Sequence, residues 1–125
     1  MSSPLDHRDV WAATERISRH VRQTPVVPSS AFDGHLKLET LQLTGAYKVR
    51  GALHALMRQV AAGDRRPVVA ASAGNHAAGV AWAARSLGLR AITVVPRAAP
   101  DTKVARTEAL GAEVRRVGSD CAVTE

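Results

Sequence analysis

The most constraining feature of this chain is an alternation. Apolar runs too short for helices are separated by longer stretches patterned at helical spacing. Pro67-Val68-Val69-Ala70-Ala71 is apolar throughout, as expected of a strand covered on both faces in a parallel sheet. Residues 77–87 follow as a small-residue helix closed by Gly88, a usual helix stop. Arg90-Ala91-Ile92-Thr93-Val94-Val95 is the next strand, ended by Pro96. Pro100-Asp101 opens a helix to about Leu110, ahead of Gly111, and Glu113-Val114-Arg115-Arg116-Val117 is a further strand. Strands joined through helices must lie parallel, so the fold class is α/β, a parallel sheet with flanking helices.

The first half is patterned less regularly. Pro4-Leu5-Asp6 opens a helix in which Val10, Thr14, Ile17 and Val21 recur as one stripe. Thr24-Pro25-Val26-Val27-Pro28 is extended, since neither proline suits a helix interior. His35-Leu36-Lys37-Leu38-Glu39 alternates and reads as a short strand. A loop over residues 40–46 leads into a helix over about 47–62, stopped by Gly63-Asp64. Gly118-Ser119-Asp120 has the composition of one more helix start.

Composition narrows the function classes. Aromatic residues are 3% of the 125 positions, so the core must be Ala, Val and Leu. The formal net charge is +6, but the arginines are scattered with no aromatic stripe among them. That is the pattern of solvated helix faces, not of a nucleic-acid groove reader. Cys121 is the single cysteine, and His7, His20, His35, His54 and His76 are too dispersed for a local metal site. No apolar stretch has the length of a signal core or a membrane span. No metal, nucleic acid or membrane partner is expected, and the cytoplasm is the default location.

Two short constellations carry chemistry. Lys48 follows the turn Thr44-Gly45-Ala46-Tyr47 and starts a helix. The positive end of the helix dipole disfavours an ammonium there, and partial burial would act the same way. Both favour the neutral amine that condenses with a carbonyl. Gly45 and Gly51 let backbone approach, and Tyr47 offers a flat face to an aromatic ligand. A solvated lysine beside a core tyrosine fits the same residues. Ser72-Ala73-Gly74-Asn75-His76 lies between a buried strand and a helix, where open α/β sheets bind ligands and free backbone N–H groups attract anions. An ordinary helix cap fits these residues too. His76 reads either as a general base or as the residue that orders the turn by hydrogen bonding.

Taken together, the Leu-Lys-Leu-Glu strand, Thr44-Gly45-Ala46-Tyr47-Lys48-Val49-Arg50-Gly51-Ala52, and Ser72-Ala73-Gly74-Asn75-His76-Ala77 closely resemble the fold-type II pyridoxal-phosphate enzymes. Within them the chain looks most like threonine/serine dehydratase (threonine ammonia-lyase), biosynthetic or catabolic. The former belongs to isoleucine biosynthesis, and serine racemase stands close by. The resemblance runs from about Asp9 to Val117. It implies a tryptophan-synthase-β-like fold, incomplete here, with residues 1–55 starting a large domain and residues 56–125 making most of a small one. It implies pyridoxal 5'-phosphate as cofactor, with Lys48 as the Schiff-base lysine that later takes the substrate Cα proton. Tyr47, where the family more often has Phe, would pack on the pyridine ring, and Asn75 would bond its 3-hydroxyl. Ser72 and the backbone of Ala73, Gly74, Asn75 and His76 would hold the substrate carboxylate. Ala46 replaces a frequent serine and Ala78 a frequent glutamine. The reaction implied is deamination of threonine or serine to a 2-oxo acid and ammonia.

The same resemblance marks what is lacking. The family's glycine-rich phosphate loop has no counterpart, since no two of the nine glycines are adjacent. The partner of the ring nitrogen and the cation site are also missing. Without the cradle, the phosphate forgoes several charge-assisted hydrogen bonds of about 1.5–3 kcal/mol each. The expectation is an amino-terminal part with little dehydratase activity alone, pairing with itself as a homo-oligomer or with a complementing carboxy-terminal half. A non-catalytic interaction or regulatory module derived from the family and a racemase-type fragment are the alternatives.

Overall fold

The computed structural model describes residues 5–118. Its elements run α1 (His7–Ile17), β1 (Val26–Pro28), β2 (His35–Lys37), α2 (Lys48–Ala61), β3 (Val68–Ala71), α3 (Asn75–Ser86), β4 (Ala91–Val95), α4 (Asp101–Ala109) and β5 (Glu113–Arg116), with a 3-10 turn at Glu39–Leu41. Strands β3, β4 and β5 form a parallel sheet in that order, with Ala70 beside Thr93 and Thr93 beside Val114. The expected α/β class with a parallel sheet is therefore present.

Helix α3 is the centre of the molecule. It packs on β3 and β4 on one side and on α2 on the other, and it also touches α4. Its residues Ala77, Ala78, Gly79, Val80, Ala81, Ala83 and Ala84 are all buried. Only small side chains let one helix be covered on several sides at short interaxial distance, which is why the run is nearly all alanine. Leu53 and Leu56 of α2, Ala70 of β3, Ala91 of β4 and Leu89 complete the core around it.

Several details differ from the sequence reading. The strands near residues 26 and 37 pair with each other as an antiparallel hairpin, Val27 opposite Leu36, separate from the parallel sheet. Strand β2 ends at Lys37, and the alternating pattern carries on into the 3-10 turn. Helix α1 starts as expected: Asp6 caps it with its side chain on the Arg8 and Asp9 amides. Its stripe is not a buried face, however. Ile17 is buried, whereas Val10 is 63% and Trp11 67% exposed. Helix α3 begins two residues earlier than expected, so Asn75 and His76 are helical rather than part of the preceding turn. The helix start read at Gly118-Ser119-Asp120 continues beyond Gly118, outside the described residues. Among the described residues, no helix is long and apolar enough to cross a membrane.

Candidate active site

Lys48 is the first residue of α2, and the turn before it is built to deliver it. Gly45 takes φ +67°, a left-handed conformation that costs glycine little and other residues more. The Gly45 amide donates to the Gln42 carbonyl at 2.8 Å. Below the turn lies a polar network. Arg50, one half-turn past Lys48, donates through Nε to Glu39 Oε2 at 2.8 Å and through Nη2 to Glu39 Oε1 at 2.7 Å. Thr24 Oγ1 donates to the same carboxylate at 2.5 Å. Gln42 exchanges two bonds with the Arg22 backbone, each 2.9 Å. The Arg50 hydrogen bonds hold the Glu39 carboxyl well below the usual range, at about 2, with Thr24 and the charges of Arg50 and Lys37 adding to the effect against desolvation.

The Lys48 side chain is exposed, so the partial burial expected from the sequence is not found. Its Nζ stands 5.2 Å from the centroid of the Tyr47 ring, a cation–π distance. Tyr47 is itself 60% exposed. An accessible amine thus stands beside an accessible aromatic face.

The second constellation lies at the carboxyl end of β3, in the turn from Ala71 into α3. Ser72 Oγ accepts from the Gly74 amide at 3.2 Å. Ser72, not His76, supplies the side-chain hydrogen bond of this turn, and the His76 side chain makes none among the described residues. Gly74 is the N-cap of α3 and offers no side-chain cap, so the first amides of α3 face outward without an intrahelical partner. The Asn75 and His76 side chains are exposed.

A residue the sequence reading did not single out joins the two constellations. A Cβ on Gly79 would stand 3.1 Å from Lys48 C and Val49 N and 3.2 Å from Lys48 O. Glycine is therefore what lets the first turn of α2 rest directly on α3. Gly79 lies four residues past Asn75, so the contact falls one helical turn along from it. Arg106 was likewise missed. It lines a cavity of about 200 Å³ with Ala73, Gly74, Asn75, Ala78, Lys103 and Thr107, and it donates to the Thr44 carbonyl. No local pattern could reveal that pair, because its members are 62 residues apart. A larger cavity of about 680 Å³ lies between α1 and α2, lined in part by Asp9, Arg16, Arg50, His54 and Arg58. It takes in Arg50 and Gly51 from the lysine motif, but not Lys48, Tyr47 or any residue of the second constellation. There, burial and the charges of Arg16 and Arg58 depress the His54 pKa.

The residues present suit the reactive end of pyridoxal phosphate: a reachable primary amine, an exposed ring face, and an amide side chain beside free backbone N–H groups. Comparison with known proteins points the same way. A family model described as pyridoxal-phosphate dependent enzyme matches residues 17–125. An L-threo-3-hydroxyaspartate ammonia-lyase from Pseudomonas sp is 44% identical over 114 residues, covering 86% of this chain and 36% of that protein. An L-threonine ammonia-lyase from Thermotoga maritima is 41% identical over 112 residues, covering 85% of this chain and 28% of that protein. The structure of maize serine racemase superposes with a TM-score of 0.88 at 31% identity, covering 98% of this chain and 39% of that one. The chain thus spans about a third of the length of the curated relatives it matches.

Proposed function

This chain belongs to the pyridoxal-phosphate dependent enzyme family, and from that premise we propose that it supplies the reactive lysine and the carboxylate-holding turn for deamination of a small β-hydroxy amino acid. The substrate would be threonine or serine, and the products a 2-oxo acid and ammonia. The observation that carries the reading is the Gly79 contact, which seats the first turn of α2, which Lys48 opens, on α3 one turn past Asn75.

The family's cofactor is pyridoxal 5'-phosphate, which when bound supplies an electron sink for charge at the substrate Cα. In this proposal the chain's own residues do the rest. Lys48 Nζ anchors the cofactor and later moves the Cα proton. The exposed Tyr47 ring covers one face of the pyridine, and the Asn75 amide bonds its 3-hydroxyl. Ser72 and the amides of Ala73, Gly74, Asn75 and His76 orient the substrate carboxylate at the amino end of α3. Residues 1–55 would begin the larger domain and residues 56–125 would form most of the smaller one, with α2 passing between them. Likeness to maize serine racemase supports a second reading, a racemase using the same lysine. The two are separated by whether 2-oxo acid or inverted amino acid accumulates.

The test uses the chain's three lysines, Lys37, Lys48 and Lys103. The protein is incubated with pyridoxal phosphate, reduced with borohydride and mapped by peptide mass. Most of the label is expected on Lys48. Label spread evenly over the three overturns the assignment.

A further inference from the structure

We propose that Arg106 is a positioning residue for the Lys48 turn: from α4 its guanidinium holds the Thr44 carbonyl and fixes the start of α2 against α3 and α4. The proposal rests on the reading of Lys48 as the cofactor lysine. Thr44 is buried, at 3% exposure, and the carbonyl of a buried residue needs a donor. The turn's own backbone bond, Gly45 to Gln42, leaves that carbonyl unanswered. Arg106 Nη2 answers it from 62 residues further along the chain. Arg50, Arg66 and Arg90 meet carboxylates, whereas Arg106 directs its charge at a backbone oxygen.

The surroundings show that the turn accommodates this side chain. Arg106 Nη2 lies 3.5 Å from the position a Cβ on Gly45 would take. That is an ordinary contact distance, so the guanidinium lies directly against the left-handed turn at Gly45. Arg106 also lines the cavity beside Gly74 and Asn75. One side chain thus stands between the turn that carries the amine and the turn proposed to hold the carboxylate. Relative placement of two reacting groups is what such catalysis depends on, and the two turns are far apart in sequence. The Gly79 contact sets how closely α2 approaches α3, and the Arg106 bond fixes the turn that leads into α2.

Two substitutions separate positioning from bulk. Arg106→Met keeps the aliphatic stem and removes every donor, whereas Arg106→Lys keeps a charged donor group. In the 125-residue chain, hydrogen exchange at the Gly45 amide is expected to speed up about tenfold in R106M, the effect of losing one charge-assisted hydrogen bond. Exchange at Thr93 in the sheet should stay unchanged, and R106K should restore most of the Gly45 protection. The ratio of borohydride-trapped label on Lys48 to that on Lys37 should fall in R106M and recover in R106K. Unchanged Gly45 exchange overturns the proposal, and so does exchange that rises equally at Thr93, since that marks general loosening. If the unsubstituted chain labels Lys48 no better than Lys37, the cofactor-lysine reading fails, while the Gly45 measurement still decides whether Arg106 holds the turn.

Discussion

At Gly79 the absence of a side chain is itself the packing feature. The atoms a methyl group would meet, Lys48 C and O and Val49 N, are helical backbone and cannot swing aside as a flexible side chain would. Gly79→Ala should push α2 off α3 at the position of Lys48. The expected loss is about 1–3 kcal/mol, the usual cost of overpacking, seen as a lower melting temperature together with weaker labelling of Lys48. An unchanged melting temperature and label would show that the seam gives way freely. Thr93 is the opposite case. Its side chain is fully buried, and its hydroxyl has no hydrogen-bond partner among the described residues. Thr93→Val keeps the shape and removes the stranded polar atom, so stability should rise by about 1 kcal/mol. A loss on chemical denaturation would mean the hydroxyl has a partner in solution.

At the scale of elements, the start of α2 is fixed from below by Glu39. Its folded pKa of about 2 lies under the ordinary 4.5, so its contribution is complete above pH 4.5 and is lost as pH falls from there towards 2. Glu39→Gln should therefore lower the melting temperature at pH 7 and flatten its fall between pH 4.5 and 2. Asp6, Asp64 and Glu113 are also shifted down and are common to both proteins, so the difference between the two curves isolates Glu39. Equal slopes would remove Glu39 from the account. This network also marks the limit of what the sequence made legible. The β3–α3–β4–α4–β5 series could be read to within about two residues, because each element carries its own period and its own glycine or proline stop. Pairing of β1 with β2, the Glu39–Arg50 bond and the Arg106–Thr44 bond could not. They join residues with no shared pattern, and an extended stretch does not name its partner. The start of α3 was misplaced because Ser72 bonds the Gly74 amide, which ends the turn and lets the helix begin at Asn75. Lys48, Tyr47 and the residues at 72–76 stood out only as two motifs taken together. Gly79 and Arg106 had no local signal at all.

On the scale of the whole molecule, one face of the parallel sheet carries exposed apolar surface among the described residues. Thr93 and its neighbours Ala70, Ala91 and Val95 face α3 and are buried. On the other face, Val69 stands beside Ile92 and Val94 beside Arg115, and Val69 is 64% exposed. With Val10 and Trp11 open on α1 as well, apolar surface of this kind favours association. Sedimentation at rising concentration should show mass increasing above that of one chain, and Val69→Lys should reduce the effect. A constant monomer mass throughout would count against it. The Gly79 seam has a further consequence at this scale. The position 48 atoms nearest to it are main-chain atoms, so the architecture there and the proposed reactivity of the side chain are separable. Replacing the amine would remove the proposed chemistry and leave the seam intact. A lineage built on this scaffold would in that way lose the proposed chemistry through one codon while keeping the backbone contact that seats α2 on α3.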